Sequence, residues 1–181
     1  GLKPTFGVVS TRGIVPLSTS FDHVGPLCRT VADTALMFRA MTDHRVTQEY
    51  DPEAPLPAAG LRVGILRTVG GVCDAPVEPE VQAAMDVAIE VIRSLVAEVR
   101  ETEIPMPDLG SLIDAEAYAF HARALDETPE RYDPRTRRDL LGGAGISKAD
   151  YASLHQDLAR HRASIDASFS NVDVVVQPTL P

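Results

Sequence analysis

The chain has 181 residues, 44% hydrophobic and 24% charged, which fits one folded globular domain or a large piece of a bigger one and argues against disorder over its length. Its 26 acidic and 17 basic residues leave a formal charge of −9, a sign that repels phosphate backbones and argues against a nucleic-acid partner. Trp is absent and aromatics reach 5%, so the core has to be built from Val, Leu, Ile, Ala and Met.

Gly1–Pro26 is rich in Gly, Pro, Ser and Thr, and its apolar pairs Val8-Val9 and Ile14-Val15 read as short strands between tight turns. Gly7 and Gly13 are the expected positive-φ positions. A helix is predicted over Val31–Met41, with Thr30 as N-cap, Asp33 at the capping spacing, and Val31, Ala35, Leu36, Met37 and Met41 for burial. Three prolines in Asp51–Pro57 mark a linker over the surface, and Leu61–Leu66 reads as a strand.

The clearest helix runs from Glu80 to about Val99, with Pro79 at the first helical position. Its apolar positions Val81, Ala84, Met85, Ala88, Ile92, Leu95, Val96 and Val99 recur at three- and four-residue steps. A strand over Glu98–Ile104 then makes Leu61–Ile104 a β-α-β unit. Helical composition returns over Leu109–Asp126. A long helix follows from Ser147, capped with Asp150, to about Phe169, and Val172–Val176 reads as a buried strand. The alternation indicates an α/β fold with a mixed or parallel sheet flanked by helices.

Cys28 and Cys73 form no C-x-x-C pair and are too few for a disulfide scaffold or a zinc site, as in a reducing cytoplasm; one disulfide stays open. No apolar run approaches the ~18 residues needed to span a bilayer, and no signal-peptide pattern opens the chain. Because the first residue is Gly1 and not Met, the chain is expected to begin inside something longer or to be processed. Its final strand, ending near Pro181, reads as part of a larger sheet.

Gly1-Leu2-Lys3-Pro4-Thr5-Phe6-Gly7-Val8-Val9-Ser10 and the block from Gly13 through Phe21-Asp22-His23-Val24-Gly25-Pro26 to Asp33 resemble the segment downstream of the nucleophile in amidase signature enzymes. Tyr132-Asp133-Pro134, Arg137-Arg138-Asp139-Leu140-Leu141-Gly142 and Asp173-Val174-Val175-Val176-Gln177-Pro178-Thr179-Leu180-Pro181 resemble later parts of the same family. The resemblance implies a portion of one amidase signature domain, a mixed β-sheet flanked by α-helices, over 1–181. It also implies amide hydrolysis by a nucleophilic Ser, a bridging Ser after a cis peptide, and a neutral Lys, with no metal or cofactor. All three catalytic residues and the oxyanion loop lie upstream of Gly1 in the family pattern.

The residues present offer no substitute triad. Lys3 and Lys148 are the lysines of the chain. Lys3 is expected to be solvated or locally bonded, and Lys148 follows Ser147 directly, where adjacent helical residues do not face each other. There is no Gly-x-Ser-x-Gly elbow. His121, His155 and His161 are expected as solvated helix residues, and Leu141–Gly145 as a loop ending in the Ser147 cap rather than a phosphate loop.

Two residues are candidates for substrate binding. Asp22 either shapes the substrate pocket or closes a turn on its own backbone. Arg138 matches, within one residue of Arg137, a position that holds a substrate carboxylate in the amidotransferase branch of the family; the alternative is a solvated basic face with Arg131 and Arg135.

The expected function is therefore part of an amidase acting on a small-molecule carboxamide and partnered by the N-terminal remainder of the same enzyme, with homo-oligomers possible through exposed sheet edges. The alternatives are a non-catalytic binding or scaffold protein derived from the family, or an amidotransferase A subunit.

Overall fold

The computed structural model describes residues 1–42, 58–67, 76–105 and 107–179. The expected linker Asp51–Pro57, Cys73 and most of the loop after the first strand lie outside the described residues. The chain divides into two compact units, Gly1–Pro55 with Leu109–Ala152 and Leu56–Asp108 with Ser153–Pro181.

In the second unit, β1 (Arg62–Ile65), α2 (Pro79–Arg93) and β2 (Glu98–Glu101) form the expected β-α-β unit, α1 being the helix Val31–Met41 of the other unit. β3 (Val174–Val176) joins the opposite side of β1, so the sheet has the order β2-β1-β3. Both pairings are parallel, with Val63 beside Val99 on one side and Val174 on the other. Parallel neighbours need long crossovers. Helix α2 supplies the first crossover, and the whole stretch between β2 and β3 separates those two edge strands.

β2 is shorter than the predicted Glu98–Ile104. Thr102 N–H still donates to the Ile65 carbonyl at 2.9 Å, but there the neighbouring β1 runs out.

Val63, Ile65, Met85 and Ile89 form the buried cluster under this sheet, with Leu61, Ile92, Val96, Val99 and Val176 packed around them. The buried face of this segment keeps Met85, Ile92, Val96 and Val99 of the predicted stripe but adds Ile89 to it. Ile89, absent from that prediction, is 2% exposed, whereas Ala84, Ala88 and Leu95 face outward. α2 carries apolar residues at most positions, so periodicity leaves the centre of the stripe open, and contact with β1 turns Ile89 rather than Ala84 and Ala88 inward beside Met85.

In the first unit, α1 (Val31–Met41) has the predicted bounds and the Thr30 cap, whose hydroxyl accepts from Asp33 N–H at 3.0 Å. Its predicted burial fails. None of its residues is buried, Val31 is 71% exposed, and Leu36 and Met37 are exposed too. An apolar pattern states only that a helix face favours a partner surface.

The short strands expected before α1 are turns instead. Val8 N–H returns to Thr5 O at 3.2 Å and Ile14 N–H to Thr11 O at 3.1 Å, so these amides close turns and are not offered to a ladder. Gly7 and Gly13 take φ of 78° and 86°, the left-handed values those turns require.

Three helices complete this unit: α3 (Gly110–Glu127), α4 (Pro134–Leu141) and the first turn of α5 (Lys148–Ser168). Ala117, Leu125 and Leu140 form their core, with Tyr118 and Tyr132 packed against it. α4 is not among the predicted helices, although its signal is present. Asp133 accepts from the N–H groups of Arg135 and Thr136, and Pro134 occupies the first helical position. α5 opens on the predicted capping box, Ser147 Oγ accepting from Asp150 N–H at 3.1 Å and donating to its carboxylate at 2.6 Å.

Candidate functional site

The loop before α1 is organised by Asp22. Its carboxylate accepts from the N–H groups of Leu17 at 3.0 Å and Ser18 at 3.1 Å, while its own N–H donates to Ser18 O at 2.8 Å. The side chain thus closes the turn over Leu17–Asp22 and aims the Ser18 hydroxyl away from solvent, leaving Ser18 fully buried. Beside it, His23 Nδ1 lies 2.5 Å from Phe21 O, and its ring meets Phe6 edge-on.

The buried Ser18 hydroxyl reaches Glu116, a residue that no sequence motif marks. Glu116 is 8% exposed on α3. Its Oε2 accepts from Ser18 Oγ at 2.5 Å and Ser20 N–H at 3.0 Å. Its Oε1 accepts from Ser20 Oγ at 2.7 Å and the Tyr151 hydroxyl at 3.1 Å. The available signal was its place four residues after the fully buried Leu112, on the inward stripe of α3.

Burial is the largest single influence on the Glu116 carboxyl and pushes its pKa up. The bonds from Ser18, Ser20 and Tyr151 together outweigh it and hold the group below the ordinary carboxylate value. Glu116 is therefore ionised and a poor proton acceptor, so the Ser18–Glu116 contact does not make a nucleophile and base. Burial and the bond to Glu116 raise the pKa of the Tyr151 phenol.

A groove of about 470 Å³ opens over this cluster, lined by Pro16, Thr19, Glu116, Tyr118, Phe120 and Tyr151 among others. Small residues, Ala115, Ala119 and Ala144, keep it open. In the second unit a crevice of about 730 Å³ lies at the carboxyl ends of β1 and β2. Its cation, Arg67, is already paired with Asp86 and with Glu101, and Glu103 adds a further carboxylate, so that crevice is net acidic.

The other predicted residues fall as follows. Arg138 projects from α4 with its side chain 75% exposed, 3.6 Å from Asp139, and is not joined to the Asp22–Glu116 cluster by a hydrogen bond among the described residues. Lys3 donates to Pro4 O at 3.3 Å, the local bond expected of it. The three helical histidines are less solvated than expected. His155 and His161 are half-buried, and His121 Nδ1 meets the Tyr132 hydroxyl at 2.8 Å with its ring edge-on to Phe120 and Tyr132. The short turn Pro129–Arg131 brings Tyr132 back to α3, a return that helical spacing does not reveal.

The profile of the Amidase family matches residues 1–181. The chain belongs to the amidase family. It is 35% identical over 193 residues to an amidase of Pseudomonas putida, a match covering all of this chain and 41% of that protein. The A subunit of the glutamyl-tRNA(Gln) amidotransferase of Roseiflexus sp. (strain RS-1) is 33% identical over 219 residues, covering all of this chain and 44% of the relative. A crystal structure of an amidase matches with a TM-score of 0.80 at 30% identity, over 98% of this chain and 40% of that one. The α/β architecture with its small parallel sheet is thus a portion of the amidase signature fold. The chain spans about two fifths of the length of the curated amidase relatives it matches.

Proposed function

We propose that this chain is the C-terminal part of an amidase that hydrolyses a small-molecule carboxamide to a carboxylate and ammonia. The observation that carries the reading is the family match over all 181 residues. The coverage of 41% of the P. putida amidase supports a partner in the N-terminal remainder of the same enzyme. In this reading the Ser-cisSer-Lys triad precedes Gly1. A neutral Lys draws a proton through the bridging hydroxyl, the nucleophilic Ser adds to the amide carbonyl, and ammonia leaves with that proton. Water then releases the acyl group as the acid.

Within this chain, Asp22 shapes the substrate pocket through the Leu17–Ser18 backbone. Arg138 offers an exposed guanidinium fork to a substrate carboxylate. Ammonia release from benzamide and acetamide tests the reading. The full-length protein is expected to turn over at least one of them, and the isolated 181-residue chain neither. Turnover that copurifies and titrates with the isolated chain overturns the placement of the triad, and an inactive full-length protein overturns the amidase reading.

The identity to an amidotransferase A subunit favours a second reading, in which glutamine is the amide hydrolysed and the ammonia passes to another acceptor. A strong preference for glutamine over both simple amides would select it.

A further inference from the structure

Glu116 ties together parts of the chain that are far apart in sequence. Ser18 and Ser20 lie 98 and 96 residues before it, and Tyr151 lies 35 residues after it. The same segments wall the groove. Pro16 precedes the two serines and Thr19 lies between them, and Tyr151 lines the groove while donating its hydroxyl to the carboxylate. The position of one buried carboxylate therefore sets the spacing between the Pro16–Ser20 loop, α3 and the first turn of α5.

The groove has the chemistry of a small-ligand site. A volume of about 470 Å³ lies within the usual range for ligand pockets, roughly 300–1,000 Å³. Phe120, Tyr118, Pro16 and the three alanines give it ring faces and aliphatic surface. The negative charge of Glu116 is met by hydroxyl and amide donors of the protein and Lys148 stands on the groove wall, so the groove suits an uncharged apolar group rather than a cation.

We infer that Glu116 is a positioning residue for substrate selection, holding the walls of this groove at the width that admits the aryl or branched-alkyl part of the amide. The inference rests on the amidase reading above. Glu116 touches no reacting atom in it. It acts through the Pro16–Ser20 loop and Tyr151.

The test compares kcat/KM for benzamide and acetamide in the full-length protein, for wild type, Glu116→Gln and Ala119→Trp. Glu116→Gln replaces one acceptor oxygen by a donor and so releases a wall, whereas Ala119→Trp fills the groove and leaves Glu116 in place. The benzamide-to-acetamide ratio is expected to fall roughly tenfold in both variants. A merely structural Glu116 would lower both substrates together, and an unmoved ratio in Glu116→Gln overturns the positioning role. An unmoved ratio in Ala119→Trp overturns the groove as the subsite, even if Glu116→Gln does not fold.

Benzamide binding by calorimetry is read alongside turnover. A wild type that hydrolyses neither amide overturns the amidase reading, and the groove then stands or falls on binding alone. Benzamide affinity weakened roughly tenfold in Ala119→Trp upholds the groove. No binding by wild type, or equal binding by the variant, overturns it.

Discussion

Asp173 holds Arg62 from both its side chain and its backbone. Arg62 donates to the Asp173 carboxylate through its N–H at 2.9 Å, Nε at 3.1 Å and Nη2 at 2.7 Å, and Asp173 N–H returns to Arg62 O at 2.8 Å. The pair fixes β3 against β1 at the start of the ladder, one residue before Val63 meets Val174. These bonds, the guanidinium first and the backbone N–H next, hold the Asp173 carboxyl down to about 2.

A folded-state pKa below the unfolded value contributes stability that is present above the unfolded pKa and lost as pH falls through the folded one. For Asp173 the window runs from 3.8 down to about 2. Asp173→Asn is therefore expected to lower the urea midpoint at pH 7, and its deficit relative to wild type should shrink across that window. A deficit that is constant with pH would assign the effect to shape rather than charge.

Glu116 carries a second prediction. Glu116→Ala leaves the Ser18 and Ser20 hydroxyls and the Ser20 N–H without their acceptor. The Ser18 hydroxyl is the fully buried one of these donors, and a buried donor that loses its acceptor costs about 1–3 kcal/mol, so a loss of about 1–3 kcal/mol is expected by urea denaturation, with Glu116→Gln losing less. Because the folded pKa is depressed, this contribution is present above the ordinary carboxylate pKa and is lost as pH falls through the folded value. A loss equal to that of an exposed Glu→Ala control would show that the hub holds nothing.

The buried and exposed faces of α2 can be told apart by mutation. Ile89→Ala, in the cluster with Val63, Ile65 and Met85, should cost about 2–5 kcal/mol. Val87→Ala, on a residue 69% exposed, should stay within about 0.5 kcal/mol. Denaturation of both variants in the full-length protein checks the pair. A larger cost at Val87 would mean that the outward stripe is covered there.

Gly143 marks where the turn Gly142–Gly145 meets α3. A Cβ on it would lie 2.0 Å from the Asp114 carbonyl oxygen and 2.8 Å from Tyr118 Cβ, so backbone would have to move. Gly143→Ala is expected to destabilise by about 1–3 kcal/mol, whereas Gly145→Ala, with open space around it, should cost less. Thermal unfolding of the two variants measures the difference.

Local signals were legible in the residues alone. Thr30 with Asp33, Ser147 with Asp150, and Pro79 at a helix start each act within one turn, so sequence spacing is enough to state them. The same holds for Gly7 and Gly13, whose turns close over three residues, and for the β-α-β order around α2. The resemblance in Gly1–Asp33 likewise pointed to the family that the match over residues 1–181 bears out.

The tertiary structure alone decided that Ile89 and not Ala84 or Ala88 lies at the core of α2, that α1 buries none of its side chains, and that His121 finds Tyr132. It also decided the Glu116 hub, because an acidic residue inside a helix looks solvated until serines 96 and 98 residues away are brought to it. Periodicity records what a segment can present, whereas burial and hydrogen-bond partners depend on what the rest of the chain places opposite.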